Sequence, residues 1–392
     1  MPDSIVIVAA RRTPIGAFQG CLTPLSAPQL ASAAIRGAFS GLGELGQEVD
    51  EAVFGCCLMA GVKQAPARQA VIGAGLPDSV PATTLTKMCG SGMKATMLVH
   101  DMLLAGSCNV GLAGGMESMS NAPYVLTRAR GGYRLGHGQA FDHMFLDGLE
   151  DAYEGKLMGY FADLAAAEFG IARERQDAYA AESVRRAQHA VASGAFREEI
   201  APVAIPGRQG EKVISDDETP GTCDIAKIPK LKPAFTKDGS ITPANASSIS
   251  DGAAALVMMR ESEALRRGIT PLARILSHAT HAQQPGRFPT APAPAIRRAL
   301  ERAGWGVGDV DLFEINEAFA VVTLLAMDEL GLPAEVVNVN GGACAMGHPV
   351  GATGARILVT LIHALRARGL RRGLASLCIG GGEATAMAIE VL

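Results

Sequence analysis

The second half of this chain repeats the first at a nearly constant offset, and that repeat limits the fold more than any other feature. Asp50-Glu51-Ala52-Val53-Phe54 is echoed by Val310-Asp311-Leu312-Phe313. Cys89-Gly90-Ser91-Gly92-Met93-Lys94 is echoed by Gly351-Ala352-Thr353-Gly354-Ala355-Arg356, Gly106 by Gly369, and residues 110–115 by residues 375–381. In each copy a glycine turn opens a helical run of small residues, and a strand ending in glycines follows it. Order, spacing and glycine placement agree together, so the chain reads as a duplicated α/β unit. Residues 5–9 and 53–57 read as strands. Residues 26–39 read as a helix capped by Ser26, and residues 64–72 as a helix with Pro66 in its first turn. Residues 83–88 form a strand leading into the Cys89 turn, residues 110–113 a strand closed by Gly114-Gly115, and residues 11–16 a loop.

After Met119 the pattern changes. Residues 120–249 are polar and charge-mixed, with a long helical region over 164–191 and an irregular stretch rich in proline, glycine and charge over 201–245. A segment of that size reads as an insertion. The expected organisation is a first α/β domain from 1–119 and 250–270, an inserted domain at 120–249, and a second α/β domain at 271–392.

With 392 residues, 48% of them apolar, the chain is long enough for a large core in two or three domains. A formal charge of −4 is a poor match for general nucleic-acid binding. No stretch reaches the length of a membrane span without glycine, proline or charge, and the first residues lack the basic segment and long apolar run of a leader, so none is expected there. Eight cysteines are more than so large a core needs as staples, which favours a reducing compartment, with the cytoplasm as default.

Three glycine-rich sites carry chemistry-bearing side chains. Cys89 precedes a helical run, where unpaired backbone N–H groups and the helix field favour a thiolate. Two readings stand for it: a nucleophile that takes an acyl group, or a packed, inert thiol. His348, in Met346-Gly347-His348-Pro349-Val350-Gly351, suits a general base that takes the Cys89 proton. Cys378 ends an apolar strand before Ile379-Gly380-Gly381-Gly382, either as a core residue or as a second working thiol. Asn316 and Glu317 sit at a strand end, where they either cap the next helix or work on a developing oxyanion. No metal ligand set is expected, because no CxxC pair or comparable spacing occurs. A phosphate loop, a dinucleotide fingerprint, HExxH and a serine elbow are also absent from the sequence.

These motifs, in this order, resemble the thiolase family over essentially the whole chain: 87–92 (Lys-Met-Cys-Gly-Ser-Gly), 316–319 (Asn-Glu-Ala-Phe), 341–349 (Gly-Gly-Ala-Cys-Ala-Met-Gly-His-Pro) and 378–382 (Cys-Ile-Gly-Gly-Gly), with 245–248 and 251–254 as a fifth match. The similarity is greatest to the short acetyl-CoA acetyltransferases. It implies two similar α/β domains with stacked mixed sheets, buried central helices and a coenzyme-A-binding loop domain. Cys89 would carry the acyl group and His348 would activate it. Cys378 would move the proton at the α-carbon of the second acetyl-CoA. Asn316, through a water, and His348 would hold the enolate oxygen, and the N–H groups of Cys89 and Gly380 a second oxyanion. Ser247, Met158, Lys227, Phe235, Ala318 and Phe319 would contact the coenzyme. Acetyl-CoA, acetoacetyl-CoA and coenzyme A would be substrates with no further cofactor, and the assembly a homodimer or homotetramer.

The chain departs from the family pattern in three places. Leu157 stands where many members have histidine. Pro220-Gly221 replaces an arginine–histidine pair of the coenzyme loop, with Lys227, Lys230 and Lys232 nearby to meet phosphates. Phe288-Pro289 replaces a Met-Gly of acetoacetyl-specific members. These departures bear on chain length and branching, so a 3-ketoacyl-CoA thiolase for longer or 2-methyl-branched chains is the nearest rival. A silent coenzyme-A-binding scaffold is the rival from another class.

Overall fold

The computed structural model describes residues 3–207 and 210–392. Nine strands form the path of its main sheet: β1 (Ile5–Arg12), β2 (Glu51–Gly55), β3 (Ala82–Leu85), β4 (Val110–Ser118), β5 (Ser250–Arg260), β6 (Ala273–Ala282), β7 (Leu312–Ile315), β8 (Arg372–Ile379) and β9 (Glu383–Val391). Their order is β7-β8-β9-β6-β1-β5-β4-β2-β3, and a two-residue strand, Gly16–Ala17, pairs with β5 off this path. The longer helices are α1 (Ala27–Phe39), α2 (Pro66–Gly73), α3 (Ser91–Ala105), α4 (Met158–Glu168), α5 (Arg173–Ser193), α6 (Pro292–Ala303), α7 (Ala320–Leu330) and α8 (Val350–Arg368), besides the short helical turns Glu261–Arg266 and Ala343–Met346.

The repeat is visible in the pairing. β2 lies parallel to β4, and β4-β5-β1 continue antiparallel; β7 lies parallel to β8, and β8-β9-β6 continue antiparallel. Even a register shift is duplicated, between Ile7 and Ala9 in β1 and between Ile275 and Ser277 in β6. The two half-sheets meet in a short antiparallel ladder, Val6 with Arg274 and Ile7 with Ala273, so the stacked halves belong to one continuous sheet.

Helices α3 and α8 lie between the half-sheets, in a core that joins Met93, Met97, Ile357 and Leu361 to Ile7, Met258, Leu377 and Ile389. Helices α1 and α2 cover the outer face of one half and α6 that of the other. Helix α8 is apolar and long enough to pass for a membrane span, but most of it is buried here. The central helices touch where the repeat places its glycines. A Cβ on Gly92 would lie 2.7 Å from the backbone N of Ala355, and one on Gly354 2.4 Å from that of Met93. Only glycine permits that approach. Gly106 and Gly369 end the two helices with φ of +76° and +65°.

Several boundaries differ from the sequence expectation. Gly114 and Gly115 lie inside β4, which runs on to Ser118. Close neighbours require both: a Cβ on Gly115 would lie 2.2 Å from the Gly351 carbonyl at the start of α8, and one on Gly114 would lie 2.3 Å from the Ala254 carbonyl of β5 and 2.4 Å from the Phe54 ring. Strand β2 runs over 51–55 rather than 53–57, and β3 stops at Leu85. The region 164–191 is split by Gly170 (φ +64°) into α4 and α5. Arg11 and Arg12 belong to β1 rather than a loop. Arg12 is fully buried, donating Nε to Glu199 (2.6 Å) and Nη1 and Nη2 to Asp217 (2.7 and 2.9 Å). Both carboxylates come from the segment that leaves the sheet after β4 and returns at β5, so this paired charge ties that segment to the first strand.

Candidate active site

The Cys89 turn is built by its neighbours. Met88 adopts a left-handed φ of +46°, a conformation that costs a non-glycine residue about 1–3 kcal/mol. Ser91 fastens it: its Oγ accepts the Lys87 N–H (2.8 Å) and donates to the Met88 carbonyl (2.6 Å). The Cys57 thiol donates to the same carbonyl at 3.2 Å. Lys87 pairs with Glu383, which links the turn to the loop holding Gly380. Gly90 faces Ile379 at a distance that leaves no room for a Cβ (2.3 Å).

Burial pushes the Cys89 thiol up to about 11, against the pull of the Gly380 and Cys89 N–H groups on its thiolate. The helix-terminus argument therefore had the net direction wrong. The N–H donors are present, but desolvation outweighs them and the resting group is a thiol. The Gly380 and Cys89 N–H groups nonetheless favour negative charge at this point, as a pair that holds an oxyanion must.

His348 lies in the loop before α8. Its N–H donates to the Ser248 carbonyl (3.0 Å), and Gly347 beside it has φ +107°, with Ser250 Oγ where a Cβ would be. Burial, reinforced by the Arg356 charge, holds the imidazole down at about 3, so it is neutral. Thr353 Oγ1 is 2.6 Å from Nδ1 and lies 3.0 Å from the Pro349 carbonyl, to which it donates. The single hydroxyl proton is thus committed, so Nδ1 carries the ring proton and Nε2 the lone pair. Nε2 is buried and has no protein partner. Glu117, buried below, accepts the N–H groups of Cys57 (3.0 Å), Leu58 (3.1 Å) and Gly351 (2.9 Å) and locks the start of α8 to β2 and β4.

Cys378, near the end of β8, is buried. Desolvation and then the charge of Cys89 push its thiol well above the ordinary value. The two sulfurs are electrostatically coupled, and both are free thiols. Asn316 follows β7 and donates its N–H to the Ser376 carbonyl (2.9 Å). Its side-chain Oδ1 and Nδ2 are buried without a protein partner. The neighbouring Glu317 is different. It accepts from Tyr179 (2.9 Å), Ser183 (2.7 Å), Asn338 (2.9 Å) and Cys344 N–H (3.0 Å). It is a buried post that holds α5 and the 341–348 loop to β7, neither a helix cap nor a working acid.

Cys89, His348, Cys378 and Gly380 line one cavity of about 360 Å³. Of the residues expected to touch the coenzyme, Met158, Phe235, Ser247, Ala318 and Phe319 line it too. Phe235 packs edge-on against Phe319 with centroids 6.0 Å apart. Ser247 Oγ donates to the Ala318 carbonyl (3.0 Å), leaving its lone pairs for a donor in the cavity. Lys227 is not brought there. Its side chain is 74% exposed and pairs with Asp224. Lys230 and Lys232 are exposed as well. Leu157 and Phe288 form apolar wall. Sequence reasoning missed Thr353, Glu117 and the Ser91 clasp. The repeat pairs Ser91 with Thr353, and that pairing was the available signal.

The chain matches the family model for the thiolase N-terminal domain over residues 5–262 and that for the thiolase C-terminal domain over residues 269–391. It is 49% identical over 390 residues to an acetyl-CoA acetyltransferase of Pseudomonas aeruginosa, covering 99% of both chains. It is also 49% identical over 389 residues to one of Escherichia coli, again with 99% of both covered. The crystal structure of the Bacillus anthracis acetyl-CoA acetyltransferase superposes with a TM-score of 0.97 at 43% identity, over 100% of this chain and 99% of that one.

Proposed function

The chain belongs to the thiolase family, and from that premise we propose that it is an acetyl-CoA C-acetyltransferase, joining two acetyl-CoA reversibly into acetoacetyl-CoA and coenzyme A. One observation carries the reading. The Cys89 thiol shares a single apolar cavity with the His348 imidazole, the Cys378 thiol and the Gly380 backbone, all of them 259 or more positions away in sequence.

In the first half-reaction His348 Nε2 takes the Cys89 proton as sulfur attacks the thioester carbon. The Gly380 and Cys89 N–H groups meet the oxyanion, each such donor being worth roughly 3–4 kcal/mol. Coenzyme A leaves with the imidazolium proton, and the acetyl group stays on Cys89. A thiol at about 11 facing an imidazole at about 3 does not ionise at rest. Transfer waits for the thioester, so the free enzyme is protected from idle thiolate chemistry. Acylation then fixes Cys89 as a neutral thioester, so no Cys89 thiolate can form to oppose ionisation of Cys378. Cys378 passes its proton to His348 and takes one from the methyl group of the second acetyl-CoA. The imidazolium and Asn316, through a water, stabilise the enolate oxygen. The enolate carbon attacks the acetyl carbonyl, Cys89 is expelled and takes back the imidazolium proton, and Cys378 keeps the α-proton as its thiol.

The test is thiolysis of acetoacetyl-CoA, followed as loss of its enolate absorbance on adding coenzyme A. Turnover that exceeds that of 2-methylacetoacetyl-CoA and longer 3-ketoacyl-CoA supports the reading. Absence of turnover with every chain length refutes it, and preference for a branched or longer chain reassigns the substrate to the Phe288 and Leu157 wall. A homodimer or homotetramer is supported by the exposed apolar side chains of Leu135 (97%) and Tyr124 (70%). Eight free thiols fit a reducing compartment such as the cytoplasm. Light scattering checks the first, and a monomer at working concentration removes it.

A further inference from the structure

Away from the cavity, three side chains converge on the outside of the core. His100 and Asp101 are consecutive residues late in α3, and His278 lies on β6. Asp101 Oδ1 is 3.0 Å from His100 Nδ1 and 2.9 Å from His278 Nε2. The imidazole planes stand at 89° with centroids 5.0 Å apart, so the rings approach the carboxylate from different sides. All three potential ligand atoms lie within 4.8 Å of one another. The imidazoles are largely enclosed while Asp101 is about half exposed, leaving one side of the group open to solvent.

We propose that His100, Asp101 and His278 form a site for a zinc-class divalent ion that clasps the first copy of the repeat to the second. Two imidazole nitrogens and one carboxylate oxygen are the donors such an ion prefers, and an open side admits a water as fourth ligand. Calcium and magnesium prefer all-oxygen cages, so the nitrogen donors select against them. Tetrahedral ligands on bonds of about 2.0–2.2 Å sit roughly 3.3 Å apart. The two nitrogen–oxygen separations are a few tenths shorter, so a small outward movement of Asp101, the most exposed of the three, admits the ion. Each imidazole then carries its proton on the nitrogen turned away from Asp101. Without metal the same carboxylate accepts both N–H groups, which pre-orients the rings. Arg302 donates to the His278 backbone carbonyl (2.7 Å), which turns its guanidinium to the main chain.

The sequence expectation of no metal ligand set rested on local spacing. His278 lies 177 positions from Asp101, and only the packing of β6 beside α3 unites them. None of the three lines the Cys89 cavity.

The test is titration of the whole protein with Zn2+ alone by calorimetry, repeated with Co2+ by visible absorption, on wild type, His278→Ala and Asp101→Asn. The site predicts one saturable ion per chain, an affinity at least tenfold weaker in each variant, and Co2+ d–d bands without a thiolate charge-transfer band. It also predicts that Zn2+ raises the melting temperature of wild type more than that of either variant. Thiolysis without metal checks that the variants fold and work, since neither residue belongs to the catalytic machinery. Absence of saturable binding, equal affinity in all three proteins, or a thiolate band marking capture by cysteines would each overturn the proposal.

Discussion

Thr353→Val isolates the part of the site that fixes the proton on His348. The threonine is fully buried, and valine keeps its shape while removing the hydroxyl. In the native site Thr353 Oγ1 takes the Nδ1 proton at 2.6 Å because its own proton goes to the Pro349 carbonyl. Without it, Nδ1–H is a buried donor with no acceptor, a loss of about 1–3 kcal/mol. The ring recovers part of that energy by moving its proton to Nε2, which has no protein partner but faces the cavity, and which is the nitrogen that must accept from Cys89. A bias of that size lowers the productive tautomer about 5- to 150-fold. The expected result is a kcat for thiolysis reduced roughly ten- to a hundredfold with KM within about twofold, because no coenzyme contact is touched. Alkylation of Cys89 by a neutral reagent slows in parallel. Thr353→Ser restores most of the rate, which a packing defect would not allow. If Thr353→Val keeps its rate within a factor of about two, or the serine variant is equally impaired, the hydroxyl does not set the tautomer and the argument fails.

Cys378→Ala leaves Cys89 and His348 in place, so acetyl-CoA should still label the protein with one acetyl group while condensation drops by about 100-fold or more, read by mass spectrometry beside the rate assay. The pH dependence of alkylation reports the resting state of Cys89. Because burial pushes its thiol up to about 11, the thiolate fraction grows as pH rises, and the rate should keep climbing past about 8.5, where an ordinary thiol levels off. A plateau near neutral pH would show a standing thiolate instead. Arg12→Met leaves Glu199 and Asp217 buried without their cation, and breaking such a group costs about 3–5 kcal/mol. Denaturant unfolding should show that loss, and a change below about 1 kcal/mol would mean the carboxylates protonate or find water at little cost.

What the sequence made legible, and what it hid, divides along the range of the forces involved. The repeat could be read because its signals are local: Gly92 and Gly354 open matching helices, Gly106 and Gly369 close them, and the structure crosses the two helices at the first pair. The separate motifs around Cys89, His348 and Cys378 were legible for the same reason. Properties set by distant neighbours were misjudged. Gly114-Gly115 resembled a strand end, yet the start of α8 requires glycine at 115, and the Ala254 carbonyl and the Phe54 ring require it at 114. Arg12 resembled a loop residue because both of its partners lie about two hundred positions away. The helix terminus favours a Cys89 thiolate, but burial, which no local motif records, outweighs it.

The duplication also explains why the site is asymmetric. The offset that places Gly92 on Gly354 places Cys89 on Gly351. In the first copy the turn offers the sulfur; in the second the turn offers a bare backbone to Glu117 and the strand offers the sulfur. Two identical copies would put like groups at both positions. Two thiols that both ionise would repel, and a single electrostatic environment could not hold a nucleophile and a base apart. Dividing the chemistry between copies lets one sulfur be masked by acylation while the other ionises. The close helix crossing brings together the two copies from which that pair is drawn.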